Sequence, residues 1–186
     1  EPAIAPEQPT REGYEFTGWD KAYLMVTEDM DIYAQYSILS YQVRFFDINS
    51  ATPVKTQTVE YLSSASAPVL PEHEGLTFTG WDKDFSEVHQ SIDVHAQYQA
   101  KTWQVTFVNY DGQKWIQTVE HNSNAVPPTL DERIGYNFTG WIGGSYQNVT
   151  SDVTLTAQYE LKQYTVNFVD YMGVIQMQAV KYGQHA

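Results

Sequence analysis

One tetrapeptide, Phe-Thr-Gly-Trp, occurs three times, at residues 16–19, 78–81 and 138–141. Its copies lie 62 residues apart from Phe16 to Phe78 and 60 apart from Phe78 to Phe138. Other landmarks keep step with it. Ala-Gln-Tyr stands at 34–36, 96–98 and 157–159, and Val43 with Phe45 returns as Val105 with Phe107 and Val166 with Phe168. Gln-Thr-Val-Glu at 57–60 returns at 117–120 and, more loosely, at 178–181. Four markers in a fixed order define a tandem array. A unit of that length buries only about 60% of its unfolded surface, so it needs a staple or a neighbour. With no cysteine in the chain, disulfides and thiolate metal sites are excluded. The remaining support is aromatic, from 5 Trp, 14 Tyr and 8 Phe. One buried aromatic withdraws about 150–250 Å² from water, worth about 4–6 kcal/mol before entropy is subtracted.

Each tetrapeptide is preceded by a proline-bearing stretch that ends in glycine: Pro2, Pro6, Pro9 and Gly13; Pro68, Pro71 and Gly75; Pro127, Pro128 and Gly135. Proline removes a donor and glycine permits turns, so each reads as an irregular crossover, with room for one short helical turn near residues 63–67. A strand with period-2 alternation follows each tetrapeptide. Met30, Ile32, Ala34 and Tyr36 share one face, as do Ile92, Val94, Ala96 and Tyr98, and Val153, Leu155, Ala157 and Tyr159. Polar residues fill the other face, the pattern of a sheet with one wet side.

Four residues without a shared pattern come next, at 37–40, 99–102 and 160–163. A second alternating strand then carries Tyr41, Val43 and Phe45, matched by Trp103, Val105 and Phe107, and by Tyr164, Val166 and Phe168. Turn residues lead into a further strand through Val59, Val119 and Val180, a β-hairpin. Pro53 beside the first turn predicts an edge strand or a bulge there. The crossovers share landmarks and the four-residue segments do not, so the boundaries belong at the segments. This gives complete repeats at 41–98 and 103–159, the second half of a repeat at 1–36 and the first half of another at 164–186.

This order of landmarks resembles the Listeria–Bacteroides repeat, also called the internalin B-repeat. The match is fullest over 103–159, through Val105, Phe107, Tyr110, Asp111, Gly112, Val119, Gly135, Tyr136, Phe138, Gly140, Trp141, Ala157 and Tyr159. Leu76 and Ile142 depart from it, Ile142 standing where the other copies have Asp20 and Asp82. The resemblance implies a mainly β chain: small α+β, β-grasp-like units of about 60 residues with mixed and antiparallel sheets. It also implies a secreted or wall-attached location at a bacterial, Gram-positive-type cell surface. The family's implied role is non-enzymatic, in adhesion or as a stalk, and no catalytic residues carry over.

Candidate sites are weighed on the residues. Trp19, Trp81 and Trp141 read as core plugs, with Phe16, Phe78, Phe138, Phe45, Phe107 and Phe168 as the rest of the aromatic interior. A ligand platform is the other reading of the same rings. Gln35, Gln97 and Gln158 recur on the wet face, and Trp115 has no aromatic counterpart, so it is expected at the surface. These four are the candidate contacts for a host or cell-envelope protein or glycan. The five histidines, His73, His89, His95, His121 and His185, lack metal-ligand spacing that recurs between copies. Carboxylate neighbours such as Asp82 with Asp84, or Asp131 with Glu132, are expected by chance on an acidic surface. No cofactor motif, serine nucleophile signature or phosphate loop is present.

A formal charge of −13, from 10 basic and 23 acidic residues, repels nucleic acid and anionic membranes. No stretch approaches 18 apolar residues, which leaves no membrane-inserted helix. The expected role is thus a non-catalytic stalk, spacer or weak multivalent adhesion region. A dedicated carbohydrate- or receptor-binding module is the alternative. The two half-repeats are expected to pair head to tail between chains, since exposed strand edges invite pairing.

Overall fold

The computed structural model describes residues 3–185 and contains twelve strands and no helix among them. In chain order they are β1 (Tyr14–Trp19), β2 (Ala34–Ile38), β3 (Ser40–Phe46), β4 (Lys55–Glu60), β5 (Leu76–Trp81), β6 (Ile92–Ala100), β7 (Thr102–Val108), β8 (Lys114–Glu120), β9 (Tyr136–Ile142), β10 (Val153–Leu161), β11 (Gln163–Asp170) and β12 (Gly173–Lys181). Four sheets result: β1-β2, β4-β3-β6-β5, β8-β7-β10-β9 and β11-β12. By contacts the chain forms two compact units. One runs up to His73 and adds Phe78–Gln99; the other is Glu74–Thr77 with the residues from Ala100 onward.

Each four-stranded sheet is mixed. A hairpin supplies β3 and β4, antiparallel with Tyr41 opposite Val59, and the crossover then brings β6 in parallel beside β3, with Val43 opposite Ile92 and Phe45 opposite Val94. The second sheet repeats this, Val105 facing Val153 and Phe107 facing Leu155. The mixed sheet is the one expected of a β-grasp-like unit, but no helix packs on it among the described residues, so the unit is all-β and not α+β. Pro53 precedes β4, which lies at a sheet edge where a missing donor is tolerated.

The helical turn expected near 63–67 does not form. The amides there point across the crossover instead: Leu62 N donates to Val88 O and Ala65 N to Phe85 O, while Ser63 O accepts from Val88 N. The other crossover does the same with Asn122 to Val149, Ala125 to Tyr146 and Val149 to Ser123. Gln57 and Gln117 complete the clamp, their side-chain oxygens accepting from Ser66 N and Val126 N. A backbone committed to long-range partners cannot also close i→i−4 bonds.

The cores are small and apolar. One holds Val43, Phe45, Val59, Ala65, Val88 and Val94, with Trp81 and Phe85 packed on it; the other holds Val105, Phe107, Ala125, Val149 and Leu155, with Trp103, Trp115, Trp141 and Tyr146. Phe45 and Phe107 are wholly inaccessible to solvent. The expected strand from Met30 begins only at Ala34. In the complete repeats the corresponding stretch, from Ile92 and from Val153, is ordered by its parallel neighbour; residues 30–33 pair with none.

Candidate functional site

The tetrapeptide owes its geometry to a bulge. In a regular strand residues i and i+3 face opposite ways, yet Phe16 and Trp19 meet edge-on at 5.4 Å, Phe78 and Trp81 at 5.5 Å, and Phe138 and Trp141 at 5.6 Å. The ladder slips between Phe16 and Gly18, and again between Gln158 and Tyr159 opposite Phe138 and Gly140. The glycine takes φ of +137°, +140° and +141° in the three copies, with open space where a Cβ would stand. Glycine is therefore required for its backbone angle and not for room.

The rings divide into inner and outer sets. Trp81 and Trp141 are half-buried, in edge contact with Phe45 at 5.1 Å and Phe107 at 4.9 Å. Phe78 and Phe138 lie outward, 43% and 44% exposed, leaning on Tyr98 and Tyr159. Trp19 and Phe16 are half-buried beside Tyr36. Phe168, expected inside, is 43% exposed, because no described strand lies on the far side of β11.

Trp115 is not at the surface. It pairs across from Phe107 and packs on the same core, and it is its neighbour Ile116 that stands exposed. Gln35, Gln97 and Gln158 are exposed. Gln158 follows the buried Ala157 on β10 and so faces away from the core that holds Trp115. The four candidate contacts therefore do not form one platform.

A polar node that sequence reasoning missed recurs beside the closing tyrosine of both four-stranded sheets. Tyr98 donates its hydroxyl to buried Asp47 Oδ1 at 2.7 Å, and Tyr159 donates to buried Asn109 Oδ1 at 2.7 Å. Two residues before the crossover glycine, a nitrogen-bearing side chain closes the node from outside. His73 Nε2 lies 2.8 Å from Asp47 Oδ2 and its ring meets Tyr98 edge-on. Arg133 stacks over Tyr136, Tyr110 and Tyr159 at 3.8, 4.3 and 5.1 Å, and Arg11 covers Tyr14 at 3.9 Å. Burial works to raise the Asp47 carboxyl, but hydrogen bonds from Tyr98, His73 and the Ile48 amide outweigh it and hold Asp47 below its ordinary value. Burial, and then the bond to Asp47, pushes Tyr98 up to about 12. The signal was the offset of minus two from each glycine, legible only with the tyrosine's position in hand.

Several other titratable groups are engaged in local structure. Asp82 accepts from the His95 amide. Asp84 accepts from the Ser86 amide and hydroxyl, which lower its pKa. Glu132 is held down by Lys162 at 2.6 Å. His95 stacks on Phe46, His89 meets Tyr61, and His121 accepts from Trp103. His185 is exposed. Among the described residues no three His, Asp or Glu side chains converge as a metal site would require.

Known proteins carry the same pattern. The family model described as the Listeria-Bacteroides repeat domain matches residues 1–35, 41–101 and 103–160. A sequence from Evansella cellulosilytica named "Putative Gly-rich membrane protein" is 28% identical over 88% of this chain, and a second from that organism is 27% identical over 88%. Internalin H of Listeria monocytogenes is 42% identical over 41% of the chain. The matched stretches span 23%, 29% and 15% of those three proteins. With a bulged Phe-Thr-Gly-Trp, a parallel central pair and a closing Ala-Gln-Tyr strand in matched positions, this chain belongs to the Listeria-Bacteroides repeat domain family.

Proposed function

We propose that this chain is a non-catalytic stretch of a bacterial envelope protein, acting as a spacer that carries other domains outward or as a weak multivalent adhesion region. The observation that supports this most directly is that one mixed four-stranded sheet is built twice in tandem. Related stretches in a protein named for the membrane and in an internalin support an envelope location. Repetition suits a spacer, since reach grows with copy number, and suits adhesion, since linked weak sites gain avidity. Deleting or duplicating residues 103–159 within the full-length protein tests it. Reach above the cell surface should change stepwise with repeat number, and reach that does not respond to repeat number would defeat the spacer reading.

A second reading, a glycan- or receptor-binding module, draws on one groove. Pro128, Leu130, Tyr136, Phe138 and Tyr159 line it, with Arg133 at its wall. Exposed aromatic faces beside polar groups suit sugar stacking. Saturable binding on a glycan array, abolished in Phe138→Ala with the fold intact, would favour this module over the spacer.

We also propose that a second copy of the chain covers the open face of β11–β12. Phe168 and Tyr164 are exposed there, whereas Phe107, on a strand with β10 paired beside it, is fully buried. The complement is the strand pair β1–β2 with residues 30–33, placing Val166 beside Met30 and Phe168 beside Ile32 by analogy with the complete repeats. Sedimentation should show concentration-dependent association that Phe168→Ser weakens. A monomer at all concentrations would refute it.

A further inference from the structure

The four-residue segments at which the boundaries belong shrink to one residue each between strands. Only Leu39 separates β2 from β3, only Lys101 separates β6 from β7, and only Lys162 separates β10 from β11. All three make the same two backbone bonds. Leu39 N donates to Gly13 O, Lys101 N to Gly75 O and Lys162 N to Gly135 O, each at 2.8 Å. Their carbonyls accept from Tyr61, His121 and Tyr182 at 2.8, 2.8 and 2.9 Å. Gly13 and Tyr61 belong to the first compact unit, and the other two sets to the second.

A side-chain contact doubles each clasp. The three glycines are buried and hold φ of +74°, +71° and +78°. A Cβ on them would lie 1.9 Å from the Tyr61 ring, 2.3 Å from the His121 ring and 2.1 Å from the Tyr182 ring. The crossover of one repeat thus leaves a glycine-floored seat, and the ring ending the next repeat's hairpin fills it. In the first clasp the Tyr61 hydroxyl also donates to Glu12 at 2.8 Å. Leucine stands at one connecting position and lysine at the other two, since the clasp itself uses only that residue's backbone.

We propose that this glycine seat and its aromatic plug form a repeat-to-repeat clasp. It fixes the direction in which each hairpin leaves the preceding crossover, so the connection acts as a set joint and not a swivel. A one-residue connection leaves no slack, and two backbone bonds plus a ring in van der Waals contact remove the remaining torsional freedom. Two features argue that the seat is built for joining. No strand of the hairpin's own sheet needs the crossover glycine, and the glycine's carbonyl has the connecting residue of the next repeat as its partner. The inference deepens the spacer reading and rests on it for its purpose.

The absence of native cysteine makes the test direct. Spin labels on Thr17→Cys in β1 and Thr58→Cys in β4, both exposed, report the distance across the first clasp. A single narrow distance distribution is expected. Tyr61→Ala should roughly double its width, as a joint freed to swing does, while Tyr61→Phe, which keeps the ring, should leave it narrow. Gly13→Ala should broaden it as well, and should add nothing on the Tyr61→Ala background, which separates the ring clash from backbone strain at positive φ. A distribution already broad in the native chain, or unchanged in Tyr61→Ala, overturns the clasp. Either result leaves the spacer reading standing if reach still scales with repeat number, and the clasp survives if reach does not.

Discussion

The complete repeats and the terminal hairpins carry the same residues in different surroundings. Phe107 on β7 and Phe168 on β11 occupy matching places, yet one is sealed and the other 43% exposed. Val94 and Leu155 are fully buried, while Ile32, their counterpart, lies outside any strand. The difference is one parallel neighbour. β7 has β10 beside it and β3 has β6, and those pairings both order the strand and close the core. The lesson is that the repeat's stability resides in joining its two halves, not in either hairpin, as expected when a two-stranded sheet is marginal alone.

The sharpest way to break this comparison is to truncate the matched phenylalanines. Phe107→Ala should destabilise the second four-stranded sheet by about 4 kcal/mol, from lost transfer energy and the cavity left behind. Trp141→Ala should come close, since that ring caps Phe107. At concentrations where the chain is monomeric, Phe168→Ala should cost less than about 1 kcal/mol, because a half-exposed ring returns little on burial. Urea denaturation followed by amide protection at Leu155 and Val166 separates the sites. Equal losses would mean that β11 is covered after all.

A smaller effect sharpens the comparison between the two complete repeats, whose nodes differ in charge. Asp47→Ala should cost about 1–3 kcal/mol by stranding the Tyr98 hydroxyl, whereas Asp47→Asn should be tolerated, as Asn109 serves the same role. The pH dependence follows from sign. Asp47 is held lower in the fold than in the unfolded chain, so its contribution is complete above the unfolded value of about 3.9. It fades as pH falls through the lower folded value. Tyr98 runs the other way: its contribution is complete below about 10 and is lost as pH rises through about 12. Amide spectra at falling pH should show the Val94 repeat losing an acid-sensitive term that Asp47→Asn removes. Identical acid profiles for the two proteins would discount the node.

Much of this was legible in the residues because side chains write it. The strand faces follow from alternation at Ala96 and Tyr98, and the bulge is announced by Gly80 between Thr79 and Trp81. Trp115 was legible too, though by strand parity and not by comparing copies. Val119 faces in, so 117 and 115 must also, and Lys55, its counterpart, turns its ammonium to Ser66. The helical turn at 63–67 failed because its competitor was distant: Phe85 and Val88 take the amides that a helix would use. The clasps at Leu39, Lys101 and Lys162 were invisible for a different reason. Backbone groups make them, so selection leaves no letter at the connecting residue and variability there looks like slack.

The smallest predicted effect lies at the odd plug among the three. Tyr61 and Tyr182 fill two seats and His121 the third. The His121 Nδ1 accepts from the Trp103 indole at 3.2 Å, which puts the ring proton on Nε2, and that buried nitrogen has no hydrogen-bond partner. Glu74, one residue before Gly75, stands 3.9 Å away, beyond bonding range. Glu12 holds the same place before Gly13 and is reached by the longer Tyr61 side chain. His121→Tyr should therefore bring a hydroxyl to Glu74 and remove the orphaned donor. The Trp103 N–H loses its acceptor in exchange, but that side chain is only half-buried and water can replace the bond. The balance should favour the variant by roughly 1 kcal/mol, read as a higher thermal midpoint. His121→Phe, which removes the orphan without adding a bond, should gain less. A His121→Tyr protein less stable than the native one would mean that the indole–imidazole bond, and not the seat, governs this joint.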